Sequence, residues 1–345
     1  MKSFADYNTS AAVDWRKQLR SNERRTHFVI GAFVLIYVMV GIIVDLYLHP
    51  EFQQIPILQA LQLLVTFKIT PVATLILGAV AIISISITYA LHDRIMLLGT
   101  QYHEITPQSS RSVEEQQLYN VTEELKIAAS LRYMPKVYLI DADYMNAFAS
   151  GYSEKSALIA ITSGLLNKLD RSELQAVIAH ELSHIRHHDI KLTLMASVLS
   201  NIILIVLDIM FRGIIFGGGR RRRDNGIVLV VILLRFLLPI VTILLLLYLS
   251  RKREFMADAG AVELTRDNTP LAKALLKISG DHEANKEKYA MIYHGTSHEE
   301  VRREAYIFDP AQAGISIQQS LGNVFSTHPP LAERLKALGF KAKGA

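Results

Sequence analysis

Two histidines four residues apart, His180 and His184, with Glu181 directly after the first, are the residues of this 345-residue chain best placed to act together chemically. On a helix, residues four apart lie about one turn apart on the same face, so both imidazoles can converge on one metal ion. Glu181 is rotated off that face. It misses the metal but comes near enough to reach a water that the metal holds. A zinc hydrolase needs this arrangement: two neutral imidazole ligands and a carboxylate general base. Chance predicts on the order of 0.02 occurrences of HExxH in a chain of this composition, so the pattern calls for a physical explanation.

The elements that must position the motif can be read around it. Asp170 followed by Glu173 has the spacing of a capping box. Leu174, Val177, Ile178, Leu182 and Ile185 then repeat with helical period. Upstream, Ser112 to Ser130 reads as an amphipathic helix, and Lys136 to Ile140 and Ala157 to Thr162 as short β-rich runs. Between those runs, Asp143 to Gly151 is a candidate strand with turn residues at both ends.

Composition sets the wider frame. Half of the residues are hydrophobic and the mean hydropathy is +0.24, which points to membrane segments. The net charge of +5 comes from basic residues gathered beside apolar runs, a pattern of membrane topology more than of nucleic-acid binding. No basic platform interleaved with aromatics is present. The chain has no cysteine, which excludes disulfides and thiolate chemistry. The first apolar run starts late, is long and lacks a small-residue cleavage site, so no cleaved signal peptide is expected.

Four apolar runs are long enough to cross a bilayer as helices, which takes about 20 residues. They are Phe28 to Leu48, Pro71 to Leu91, Leu192 to Phe216 and Ile227 to Ser250. Arg16, Lys17, Arg20, Arg24 and Arg25 precede the first run, whereas the loop from His49 to Thr70 carries only Lys68. That bias places the N-terminus and everything from His92 onward in the cytoplasm. The last two runs flank Arg220 to Arg223, which their crossing would put outside, against the same tendency. Two readings stand here: both runs span, the one favoured by their length, or they form a hairpin that dips in without crossing. Asp208, Arg212 and Arg235 are costly in lipid and should face protein, water or one another.

The expected organisation is a basic N-terminus (1–26), two membrane helices (27–91), a core carrying the HExxH helix (92–190), two further hydrophobic helices with a basic loop (191–250), and a C-terminal helical part (251–345). The expected fold class is α+β and mainly helical, with about four transmembrane helices.

A catalytic zinc site needs a third protein ligand and an open position. Glu254 is the choice, at the point where the last apolar run emerges on the side that carries HExxH. Asp258, one turn on, is placed to hold a ligand imidazole by its other ring nitrogen. By spacing alone, Glu254 is equally well a surface charge balancing Arg251, Lys252 and Arg253. His187 and His188 lie too far along the helix to share a metal centred between His180 and His184, and Asp189 reads as structural. His282, His294 and His298 read as solvated. His328, before Pro329 and Pro330, is either an oxyanion donor or a loop anchor.

Together these residues resemble the HtpX family of membrane-bound zinc metallopeptidases, relatives of the CAAX prenyl proteases. The resemblance runs from about Tyr119 to Arg334. It rests on Pro135-Lys136-Val137-Tyr138, Asn146-Ala147-Phe148-Ala149, His180-Glu181-Leu182-Ser183-His184, Glu254-Phe255-Met256-Ala257-Asp258 and Ser326-Thr327-His328-Pro329-Pro330. It implies a zincin-like (gluzincin) cytosolic peptidase domain, with one zinc held by His180, His184 and Glu254 and with Glu181 catalytic. It also implies a place in the bacterial inner membrane, an active site facing the cytoplasm, and a role in membrane-protein quality control. In zincins an edge strand beside the metal binds the substrate backbone in extended form. That assigns substrate binding to Asn146, Ala147, Phe148 and Ala149, with Asn146 on a substrate carbonyl and Phe148 in the core. The expected partners are unfolded or membrane-protein substrates and the lipid bilayer, with no nucleic acid. The rival functions are a narrow-substrate processing protease and a membrane holdase with a structural metal. Three good ligand candidates, not four, argue against the holdase.

Overall fold

The computed structural model describes residues 7–9, 31, 34–151, 153–187, 204–209, 211–212, 225–296, 302–303, 305–315 and 328–342. The N-terminal basic cluster, His188, Asp189, the arginine block at 220–223, His298, Ser326 and Thr327 lie outside the described residues. The chain divides into two compact units, one made of residues 1–23, 91–191 and 247–345 and the other of 24–90 and 192–246.

The first unit is built on a four-stranded sheet. Its strands are β2 (Tyr102–Ile105), β3 (Lys136–Ile140), β4 (Ala147–Ser150) and β5 (Leu158–Thr162), in the order β2-β3-β5-β4. The apolar, β-branched sequences of β3 and β5 suit strands covered on both faces. These two pair in parallel at the centre, with Val137 opposite Ile159 and Leu139 opposite Ile161. β2 and β4 add antiparallel at the two edges. A separate two-stranded ribbon joins β1 (Tyr7–Thr9) to β6 (Phe340–Ala342). The sequence patterns did not suggest β1, β2 or β6.

The helices of this unit are α1 (Val113–Ala128), α2 (Ser163–Lys168), α3 (Arg171–Arg186), the last turns of α4 (Asn225–Thr265), α5 (Thr269–Ala284), α6 (Lys286–Gly295) and α7 (Leu331–Ala337). Ser112 caps α1 by accepting from the amide of Glu115 at 3.2 Å. One hydrophobic core joins the sheet to α1, α3 and α5, with Leu118, Val121, Ile159, Ile161, Val177, Ile178, Leu182, Leu271 and Leu275 all fully buried. The unit is α+β and mainly helical.

In the second unit, a helix at 34–48 lies against the start of the helix Val72–Leu97. Gly41 makes the approach possible, since a Cβ there would fall 2.7 Å from Thr74 Oγ1. Asp45 is buried and caps the second helix. Its carboxylate accepts from the amides of Ala73 (2.7 Å) and Thr74 (3.0 Å) and from the Thr74 hydroxyl (2.7 Å). The connection between these helices is itself partly helical, over Ile57–Val65. Asp208 accepts from Arg212 at 2.6 Å and from Arg235, so these three charges do face one another. Among the described residues, no helix is long and apolar enough to cross a membrane. The four crossings remain a reading of the sequence.

Candidate active site

The HExxH segment lies in the second half of α3, and the sequence fixes where that helix starts. Asp170 accepts from the amide of Glu173 at 2.9 Å, while Glu173 accepts from the amide of Asp170 at 3.0 Å. This reciprocal pair satisfies two of the donors that a helix start leaves unpaired. Lys277 of α5 donates to Glu173 at 2.6 Å and ties the capped end to the core. The apolar stripe from Leu174 to Ile185 then turns inward. The phase of the helix therefore aims His180 and His184 at one point, their Nε2 atoms 3.2 Å apart.

The end of α4 crosses α3 beside the motif. The crossing is close because residue 260 is glycine: a Cβ there would lie 2.4 Å from the Ser183 hydroxyl oxygen and 2.8 Å from its Cβ. Glu254 and Asp258, one turn apart, are thereby brought to the two histidines. Glu254 places Oε2 3.7 Å from His180 Nε2 and Oε1 3.6 Å from His184 Nε2. Ligand atoms of His180, His184 and Glu254 all lie within 4.8 Å of one another.

Asp258 meets the other nitrogen of the His180 ring, with Nδ1 to Oδ1 at 3.0 Å. A proton held on Nδ1 by that contact leaves the Nε2 lone pair directed at His184 and Glu254. Two imidazole nitrogens and a carboxylate converging as acceptors in a buried space repel one another unless a cation lies among them. The donor set therefore fits a divalent metal ion held by His180, His184 and Glu254.

The electrostatics separate the two glutamates. Glu181 is fully buried, and burial raises its carboxyl to about 8, with Glu254 adding to the rise. The Ala149 main chain, His184 and Arg334 pull the other way. For Glu254, burial also favours the neutral form, but His328, His184 and Arg334 outweigh it and hold the group well below the usual carboxylate range. Burial lowers His180, and Asp258 partly offsets that. The carboxylate suited to holding a cation stays ionised, and the one beside it is poised to exchange a proton near neutral pH.

The sequence reading missed Arg334. It lies in α7 and is buried against Asp258, donating from Nη2 to Oδ1 at 2.6 Å and from Nε to Oδ2 at 2.9 Å. Its Nη1 donates to the carbonyl of Ile307 at 2.6 Å and stands 3.5 Å from Glu254. A signal for it existed. Leu331, Arg334, Leu335 and Leu338 share the helical period of a buried stripe, so the arginine occupies a core-facing position. His328 is buried too, with Nδ1 3.3 Å from Glu254 Oε2. The structure thus brings it to the Glu254 side of the cluster.

On the other side, Ala149 of β4 lies near Glu181, whose two carboxylate oxygens are buried without a hydrogen-bond partner among the described residues. Phe148 is fully buried in the core. Asn146 departs from its expected role as a substrate contact. Its Nδ2 donates to the Phe308 carbonyl at 3.0 Å, and its Oδ1 accepts from Ala147 at 3.1 Å and from Phe308 at 3.4 Å. Its side chain is spent on holding the chain's own residues.

His282 corrects the sequence reading outright. It is fully buried rather than solvated, with Nδ1 2.9 Å from the Ile278 carbonyl and Nε2 3.0 Å from the Tyr293 hydroxyl. The period that runs through Leu271, Leu275 and Ile278 reaches position 282, so its place on the apolar face was legible. His294 is exposed.

Comparison with known proteins identifies the family. The family model described as peptidase family M48 matches residues 112–340, which include every residue of the cluster. A protein named protease HtpX homolog from Helicobacter acinonychis (strain Sheeba) is 38% identical over 330 residues, 96% of this chain and 100% of that protein. One of the same name from Listeria monocytogenes (serotype 4a, strain HCC23) is 33% identical over 335 residues, 93% of this chain and 98% of that protein. Among solved structures, the crystal structure of S. mikatae Ste24p aligns with a TM-score of 0.45 at 17% identity, covering 97% of this chain and 68% of that one. The chain belongs to peptidase family M48.

Proposed function

We propose that the protein is a membrane-bound, zinc-dependent endopeptidase that cuts misfolded or damaged membrane proteins at a site facing the cytoplasm. The observation that carries the reading is the convergence of His180, His184 and Glu254, with the buried carboxyl of Glu181 beside them. Two imidazoles and a carboxylate suit zinc among the divalent ions. A metal held there by His180, His184 and Glu254 would supply Lewis acidity and bring the pKa of a water toward neutral.

The chain's own groups do the rest. Asp258 fixes the tautomer of His180, and Arg334 holds Asp258 in place. Glu181 takes the proton of the attacking water on a carboxylate oxygen and returns it to the departing amide nitrogen. His328, whose Nδ1 is 3.3 Å from Glu254 Oε2, is our candidate for the donor to the oxyanion. The membrane reading is supported by the second unit, where large apolar side chains such as Leu35 (70% exposed) and Ile82 (68%) point outward while Asp45 and Asp208 are satisfied by protein. Four spanning helices are supported by the length of the apolar runs, and the cytoplasmic site by the charges that flank the first two.

Cleavage of an unfolded membrane protein by wild type and Glu181→Gln, both loaded with zinc, tests the reading. The wild type should cut about two to four orders of magnitude faster than the variant, the scale of lost acid–base catalysis, and a chelator should stop it. Equal cleavage by both would exclude Glu181 as the base.

A further inference from the structure

His328 is followed by Pro329 and Pro330, neither of which has a backbone N–H to donate. The first amide after the histidine is that of Leu331. It opens α7, where helix geometry leaves it without an acceptor inside the helix. The residue in the N-cap position is Pro330, whose side chain supplies none. A turn of this sequence needs a partner from elsewhere in the chain, and Gln312 is that partner. Its Oε1 accepts from the Leu331 amide at 3.2 Å, and its Nε2 donates to the Pro329 carbonyl at 3.2 Å. One of these tasks needs an acceptor and the other a donor, and a carboxamide carries both on one planar group.

The base under Gln312 is itself well tied. It lies in the short 3-10 turn Pro310–Ala313, where Asp309 Oδ1 accepts from the Ala311 amide at 3.0 Å. Arg303 donates to both oxygens of Asp309, at 2.8 Å and 3.2 Å. Gly314, at φ 73°, closes the turn in the left-handed region, and Ile315 beyond it is buried.

Two groups of the site flank the clamped turn. Three residues after Leu331, Arg334 is fixed by its own fork on Asp258. Immediately before Pro329, His328 is buried with Nδ1 3.3 Å from Glu254 Oε2, and the two prolines restrict the path from the clamp to its ring. Resting on the endopeptidase reading above, we infer that Gln312 is a positioning residue for His328: its carboxamide fixes the turn that presents the imidazole to Glu254. Arg334 keeps α7 on Asp258 without the clamp, so loss of Gln312 frees the imidazole and leaves the metal ligands in place.

The test compares the full-length, zinc-loaded wild type with Gln312→Met, which fills similar space without either hydrogen bond. Carbethoxylation by diethyl pyrocarbonate, followed residue by residue by mass spectrometry, needs no turnover. Its rate at His328 should rise about tenfold, the scale of one or two lost hydrogen bonds. The rate at buried His282 and the affinity for zinc should stay as in wild type. An unchanged rate at His328 overturns the inference, and so does a rise at both histidines with weaker zinc binding, which marks general loosening. Against an internally quenched peptide, kcat should fall about tenfold with KM changed less than about twofold. Gln312→Met combined with His328→Ala should be no slower than His328→Ala alone; losses that multiply overturn the inference. Gln312→Glu keeps the acceptor for Leu331 but sets a second acceptor against the Pro329 carbonyl. It should behave as Gln312→Met does, and it carries the test if the methionine variant does not fold. If His328 is freed and kcat does not change, the assignment of His328 to the oxyanion fails. If the wild type cuts no peptide, the endopeptidase reading fails. In both cases a freed His328 leaves its placement by Gln312 standing.

Discussion

The two units use their carboxylates in opposite ways. In the second unit, buried Asp45 accepts three hydrogen bonds from the start of the neighbouring helix, and half-buried Asp208 is shared between two guanidinium groups. Each carboxylate is closed by partners of its own chain. In the first unit, Asp258 is closed in the same manner by Arg334 and His180, whereas Glu181 and Glu254 keep oxygens aimed into a shared space with two imidazoles. The difference marks where structure ends and chemistry begins. A buried carboxylate with a full set of partners holds helices together, and one without that set is held ready for a cation or a proton.

The comparison breaks most visibly at Glu254. Glu254→Ala should lose bound metal and all hydrolysis, read by elemental analysis of the purified protein; retention of stoichiometric zinc would remove Glu254 from the ligand set. Arg334→Ala takes the counter-charge from a buried carboxylate and should lower stability by about 3–5 kcal/mol. Metal affinity should fall with it, and Arg334→Lys should restore only part, because a lysine cannot reproduce the bidentate fork. Chemical denaturation alongside a zinc titration would show a purely structural role if stability fell and affinity did not.

Acid should affect the first unit through His282. Burial lowers this histidine to about 4, against the Ile278 carbonyl and Asp281, which favour the charged ring, and with Lys168 adding to the fall. Its value in the unfolded chain is about 6.5, so the folded protein binds fewer protons between those two values. Stability from this group is complete above about pH 6.5 and is lost as pH falls toward 4, by up to about 3 kcal/mol. Thermal melts at pH 7 and pH 5 should differ for wild type and differ less for His282→Gln. In the second unit, Asp45→Ala should cost about 1–2 kcal/mol, the scale of a lost helix cap, with zinc binding unchanged. A melt combined with a zinc titration checks both halves.

Much of the site was legible because helices carry their own punctuation. The box at Asp170 and Glu173 and the stripe that follows set the position and phase of α3, and with them the convergence of His180 and His184. For Glu254 and Asp258, one turn apart, spacing left a ligand and a surface charge equally open, and the family resemblance decided between them. Arg334 could not be paired with Asp258 from sequence, because its partner is settled by how α7 packs, and no local pattern encodes which carboxylate a buried arginine will meet. Asn146 misled for a similar reason. The motif around it is the same whether its amide meets a substrate or Phe308, 162 residues away. β2 was missed because Tyr102-His103-Glu104-Ile105 is polar at its centre, and its pairing with β3 supplies what the sequence pattern lacks.

The pairing of Asp258 with Arg334 spans 76 residues, and this has a consequence for how the protein is born. A chain emerging from the ribosome presents both histidines, then Glu254 and Asp258, long before α7 exists. Until that last helix is made, Asp258 has no guanidinium to balance it and His180 no firmly set tautomer. The order of synthesis itself therefore leaves the cluster without its full set of supporting contacts until α7 has been made and has packed against α4.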